Sequence, residues 1–150
     1  MNQETNLDRY LDRLTACMIS FQFIEEALRM FLERAEVLIS RRLQGLIPYN
    51  TDHRIKSNQR ASLGRLIAQF RPYCEDQELI LELNTIAERR NSAAHKSLLL
   101  TMEESQDMQG LKQKIDEASE VNAKAQDLLF RVTEYVKRVD ALLCVYNTVY

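Results

Sequence analysis

The sequence predicts an all-α protein: one up-and-down helical bundle over residues 1–150, with two long antiparallel helices, a short helix, and a third helix that carries the candidate site. Three observations carry this. Only 3 glycines and 2 prolines occur in 150 residues, too few for the tight turns of a sheet protein. Apolar residues recur at helical spacing over long uninterrupted stretches. Hydrophobic residues make up 45% of the chain, enough for one core at a length that buries roughly 70% of the unfolded surface, so a second domain is not expected.

From Leu7 to Leu43 the apolar positions Leu7, Leu11, Leu14, Met18, Phe21, Leu28, Leu32, Ala35, Ile39 and Leu43 follow one another without Gly or Pro, which predicts one long helix stopped by Gly45 and Pro48. Between Met18 and Phe31 the apolar surface widens to take in Phe23, Ala27 and Met30. A second face of this kind predicts burial against another helix or another chain, and a homodimer is expected. Residues 45–58 read as a polar connector containing His53, long enough to be functional or mobile. A short helix follows with Leu63, Leu66, Ile67 and Phe70 on one face and ends at Pro72. The third helix starts near Asp76, where Glu75, Asp76 and Glu78 complement the helix dipole, and runs to about Lys96. Thr101 and Glu104 have capping-box spacing. In the last helix, 105–147, Leu111, Ala118, Ala125, Val132, Val139 and Tyr146 repeat every seven residues, and Ile115, Leu129, Val136 and Leu143 fill most of the alternate seam positions, predicting lengthwise packing on the first helix. Asn122 is the one polar residue of that seam and reads as a register marker.

A net charge of −2 excludes a basic footprint over the whole protein. Charge is nevertheless unevenly placed. Residues 29–71 hold nine Lys/Arg against Glu33, Glu36 and Asp52, whereas 75–88 hold five acids and no base. The first stretch reads as a solvated face unless it meets Arg90 across a groove, which would make it an RNA track. Cys17, Cys74 and Cys144 are odd in number and widely separated, which suggests neither a disulfide framework nor a zinc site. A reducing cytoplasm is the expected compartment. The start MNQETNLDRY has no signal organisation, and no apolar run reaches the roughly 20 residues of a membrane span. No cofactor or metal is expected.

The candidate site is Arg90-Asn91-Ser92-Ala93-Ala94-His95, which holds one of the chain's two histidines. On a helical wheel Arg90 falls within the apolar stripe of Leu79, Leu83, Ile86, Ala87 and Ala94, where a charge is costly unless paired or used. Asn84, Glu88, Asn91 and His95 line one flank of that stripe. Arg89 also precedes His95 at a usable distance, but the wheel turns it to solvent, so function is assigned to Arg90.

An arginine, a polar residue directly after it and a histidine a few residues on, carried by the third helix after a long first helix and a short SLGRLI helix, resemble the HEPN superfamily (higher eukaryotes and prokaryotes nucleotide-binding). The architecture matches over about residues 5–147, and Arg90, Asn91 and His95 match the motif. The resemblance implies a metal-independent endoribonuclease acting as a two-fold homodimer, with RNA as substrate and motifs of both protomers in one cleft. It also implies a toxin or phage-defence role beside an antitoxin or nucleotidyltransferase partner. The chemistry is consistent with the residue types. Cleavage through the RNA's own 2′-hydroxyl needs a base on one side of the phosphorus and an acid on the other, roles that imidazoles fill near pH 7. A guanidinium stabilises charge on the phosphoryl oxygens.

Two further readings compete. One is a non-catalytic HEPN-like module that binds a nucleotide or a protein; the other is a helical interaction protein without a site. In those readings His95 is a surface or capping histidine, and Arg90 packs its stem on apolar surface while its head pairs with Glu88 or with an acid on another helix.

Overall fold

The computed structural model describes the backbone of residues 5–96 and 107–149, and side chains over 5–92 and 107–147. Among these residues every regular element is helical: α1 (Asn6–Leu43), α2 (Asp52–Gln59), α3 (Leu63–Phe70), a 3-10 turn (Arg71–Tyr73), α4 (Gln77–Lys96) and α5 (Met108–Val149).

Local chemistry sets the boundaries. Thr5 caps α1 by a reciprocal capping box: the Asp8 N–H donates to Thr5 Oγ1 at 3.1 Å, and the Thr5 N–H donates to Asp8 Oδ2 at 3.0 Å. The hydrogen bonds from Thr5 hold the Asp8 carboxyl below its usual range. Beyond the far end of α1, Gly45 takes φ 81°, a left-handed turn that other residues adopt at a cost. Asp76 caps α4 by accepting from the Leu79 N–H at 3.0 Å. The expected Thr101–Glu104 cap lies outside the described residues.

The connector expected over 45–58 is partly helix. Its α2 segment, DHRIKSNQ, has no apolar periodicity to announce it. Tertiary contacts hold it instead: Arg54 Nη1 lies 3.2 Å from Glu36 Oε1, and the Tyr49 hydroxyl donates to Glu36 Oε2 at 2.6 Å. His53 is therefore an exposed residue on the first turn of a helix rather than a loop residue.

The all-α bundle with two long helices is the observed architecture, but the two long helices run parallel. Asn6 bonds Met108, Cys17 Sγ donates to the Ala118 carbonyl, Ser20 Oγ donates to Asn122 Oδ1 at 2.7 Å, Arg34 reaches Asp140 at 2.6 Å, and Arg41 bonds Asn147. Residue numbers rise together along both helices, so the antiparallel expectation is corrected. The reason is topological. The two short helices fold back only on the C-terminal half of α1, where Phe31 meets Phe70 and Tyr73, so α4 alone returns the chain. At the start of α4 the capping residue Asp76 and Glu82 meet Arg131, and the later Arg89 and Ser92 face Lys114 and Ala118, so α4 is antiparallel to α5.

The core runs between α1, α3, α4 and α5. Phe70 is fully buried, with edge-on ring contacts to Phe31 and Tyr135 at 5.1 and 5.2 Å. The predicted seam residues Leu111, Ala125, Val132, Val136 and Val139 are buried, joined by Leu128 outside the seven-residue repeat. At the seam's polar position Asn122 is pinned by Ser20. The widened face of α1 is only partly covered within the chain: Ala27 and Phe31 are buried, whereas Ile19 and Phe23 are 44% and 57% exposed.

Arg131 ties α5 to the start of α4 by contacts of 2.8 Å to Asp76 and 2.7 Å to Glu82. Arg131 holds the Asp76 carboxyl below its usual range, and Lys124 together with Arg131 does the same for Glu82. A carboxyl whose folded pKa is depressed stabilises the fold above its unfolded pKa and loses that contribution as pH falls through the lowered value. Thermal melts should therefore show wild type above Arg131→Gln at pH 6, with the gap narrowing towards pH 3. A gap that stays constant over that range contradicts the linkage.

Candidate functional site

Arg90 and Asn91 occupy the penultimate turns of α4, and His95 belongs to its last turn. The side chains of Ala93, Ala94 and His95 lie outside the described residues. The polar flank foreseen beside Arg90 is solvated where it is described: Asn84, Glu88 and Asn91 are all exposed. Arg89 is exposed as well.

Arg90 does not sit unpaired in the apolar stripe. Its Nη2 lies 2.9 Å from Glu25 Oε1, with 30% of the arginine side chain accessible. A flexible stem packs along apolar surface while the head reaches the edge of the core. Glu25 is only 8% exposed, and it is held from a second side by Arg29 Nη2 at 3.4 Å. The same Arg29 nitrogen donates to the Ala61 carbonyl at the α2–α3 junction, 3.2 Å away. One buried carboxylate therefore joins the motif helix α4 to the first helix and, through Arg29, to the short helices. Glu25 Oε1 lacks an in-line hydrogen bond, so its attraction to Arg90 is mainly Coulombic.

Sequence reasoning missed Glu25. It shares a helix face with Phe21, Leu28 and Leu32, all buried, and so violates the same apolar pattern that drew notice to Arg90. Buried charges are rarely unpaired, so the misplaced charge at Glu25 was itself the available signal, although its partner was not. Glu36 on the same helix is the second case, 4% exposed and paired with Arg54.

Concave surfaces beside the later turns of the motif helix lie on its α5 side. A cleft of about 260 Å³ is formed by Tyr10, Leu14 and Phe21 of α1, Arg89 and Ser92 of α4, and Lys114 of α5. Arg89 also borders a second hollow with Glu82 and Lys124. Arg90 and Asn91 line neither, so the wheel separates the two arginines by surroundings: Arg89 on the α5 side, Arg90 on the Glu25 side. Burial pushes the Cys17 thiol beside this cleft upward, so it is no ready nucleophile. Among the described residues no group of three or more His, Cys, Asp or Glu is placed to hold a metal ion, and no helix is long and apolar enough to cross a membrane.

No protein-family model, curated protein or solved structure matches the chain.

Proposed function

We propose that the chain is a metal-independent endoribonuclease of HEPN type that acts as a homodimer, a chemistry suited to a toxin or phage-defence effector working beside an antitoxin or nucleotidyltransferase partner. The observation that carries this reading is the placement of Arg90, Asn91 and His95 on the last turns of one continuous helix, with the guanidinium already oriented by a buried carboxylate. A held guanidinium presents its remaining donors at little entropic cost, as charge stabilisation at a phosphoryl group requires. In the dimer, His95 of one protomer serves as base toward the 2′-hydroxyl and its partner's His95 as acid toward the leaving 5′-oxygen. Asn91, exposed one turn before His95, orients the phosphate or the imidazole.

The dimer draws support from α1. Leu11, Ile19 and Phe23 are 47%, 44% and 57% exposed in the half of α1 that packs beside the end of α4. Burying them against a second copy removes apolar surface from water next to the motif. Sedimentation at tens of micromolar should give a dimer, because an interface of ordinary size holds at that concentration. Phe23→Glu should yield a folded monomer that has lost RNA cleavage. A wild type that is strictly monomeric, or a monomeric Phe23→Glu that cleaves normally, overturns the composite site.

A second reading is favoured by the Arg90–Glu25 contact itself. An arginine committed to a buried carboxylate is what a non-catalytic helical module that binds a nucleotide or a protein would also contain.

A further inference from the structure

The second buried carboxylate of α1 organises a different region. Glu36, Arg54, Ser57, Arg65, Gln69 and Tyr73 border a cleft of about 550 Å³ between α1, α2, α3 and the 3-10 turn. We propose that this cleft binds a phosphate ester bearing hydroxyl or amino donors, a nucleotide unit presented either within an RNA strand or free in solution. The RNA form of the proposal rests on the ribonuclease reading; the cleft itself does not.

Three independent features point there. The first is charge: residues 52–73 carry Arg54, Lys56, Arg60, Arg65 and Arg71 against the single acid Asp52, an excess that attracts anions to this end of an otherwise acidic chain. The second is preorganisation. Glu36 fixes Arg54 at 3.2 Å, yet the Arg54 side chain remains 62% exposed, and Arg65 is steadied through Nη2 to Ser57 Oγ at 3.2 Å. Each contact uses one of five guanidinium N–H donors, so both forks keep donors for phosphate oxygens. The third is an unfilled acceptor. Gln69 Oε1 is buried at the cleft and has no hydrogen-bond partner among the described residues. A buried acceptor without a donor is unfavourable, because the hydrogen bonds it made to water are not replaced. Inorganic phosphate, bound through its oxygens, serves it poorly; a ribose hydroxyl or a base N–H satisfies it. Exposed His53 lies on the rim of the same cleft and adds a ring N–H donor.

The cleft is also connected to the motif. Arg29 contacts the Ala61 carbonyl between α2 and α3 and, with the same guanidinium, the Glu25 carboxylate that holds Arg90. Arg29 thus ties the α2–α3 junction, next to the cleft in sequence, to the Glu25–Arg90 pair on α1 and α4.

The test uses the full chain and two probes: a fluorescein-labelled 2′-O-methyl RNA of about 20 nucleotides, which cannot be cleaved through a 2′-hydroxyl, and uridine monophosphate. Anisotropy titrations across salt concentrations should show Arg65→Gln weakening the strand several-fold and flattening the log–log salt slope by about 0.7, with Arg54→Gln/Arg65→Gln flattening it by about twice as much. Lys112→Gln, on exposed α5 surface, should change neither. Circular dichroism checks the double variant, which leaves Glu36 without its arginine; Arg65→Gln alone gives up only the contact to Ser57 and keeps the test valid if the double variant misfolds. Strand binding that millimolar uridine monophosphate does not displace assigns the site to RNA. Saturable uridine monophosphate binding lost in Arg65→Gln assigns it to a free nucleotide. If neither probe binds, or if Arg65→Gln binds both as wild type does, the proposal is overturned. Cleavage of unmodified RNA is read separately: variant-sensitive binding without cleavage leaves the cleft standing and removes the ribonuclease, and cleavage with unaltered strand affinity in Arg65→Gln does the reverse.

Discussion

Replacing His95 by Ala should lower the rate of RNA cleavage by about 10²-fold or more while leaving the helical content and melting temperature close to those of wild type. The size follows from the role. General acid or base catalysis by a positioned imidazole contributes roughly 10²–10⁴ in rate, and the proposed dimer would lose both copies. Stability should hold because His95 lies on the last turn of α4, beyond the core residues Leu79, Leu83 and Ile86 that anchor that helix. Mixing His95→Ala with wild-type protomers should reduce activity more steeply than dilution alone, since a mixed dimer has one imidazole where two are needed. Full activity in His95→Ala removes the histidine from the mechanism.

Arg90 offers the second large effect, and here the structure separates two roles that sequence left joined. Arg90→Ala should lose about 10²-fold or more in cleavage, as when a charge-stabilising donor is deleted. It should also lose about 1–3 kcal/mol of stability, because Glu25 is then left buried with Arg29 alone. Arg90→Lys distinguishes the two. It keeps a cation near Glu25 but discards the planar fork, so stability should largely return while cleavage does not. Arg89→Ala, on the α5 side of the helix, should stay within about 0.5 kcal/mol of wild type and cleave normally. Cleavage restored in Arg90→Lys makes Arg90 a structural partner of Glu25 and favours the non-catalytic module. Activity lost in Arg89→Ala moves the functional arginine to the cleft lined by Tyr10, Phe21 and Lys114.

Much of the architecture is legible before any coordinates. The scarcity of Gly and Pro, the unbroken apolar period to Leu43 and the four apolar residues of α3 identify helices whose extents the structure reproduces closely. The direction of α5 was not legible, because a seven-residue seam encodes which face packs and carries no sense of parallel or antiparallel. Direction is decided by how far the short helices return the chain. The α2 helix was missed for another reason. With Ile55 its only large apolar residue, it has no amphipathic period, and it is held by Glu36, which no local window connects to Arg54.

The site was half legible. Arg90 stands out because it interrupts an apolar stripe, and its head does leave that stripe to meet an acid on another helix. Glu25 interrupts the stripe of α1 in the same way, yet pairing the two charges requires knowing that the end of α4 lies beside that turn of α1. The basic stretch of 29–71 looks like solvated surface in sequence. The structure divides it into Arg29, which supports Glu25, and Arg54 and Arg65, which border a separate cleft.

The central claim is metal-free cleavage of RNA by its own 2′-hydroxyl at a paired Arg90 and His95 site. Purified wild-type chain incubated with unmodified RNA in excess EDTA, with fragment ends read by mass spectrometry, tests it directly. The account predicts undiminished cleavage leaving 2′,3′-cyclic phosphate and 5′-hydroxyl ends, absent in His95→Ala. Intact RNA, or 3′-hydroxyl and 5′-phosphate ends, contradicts it.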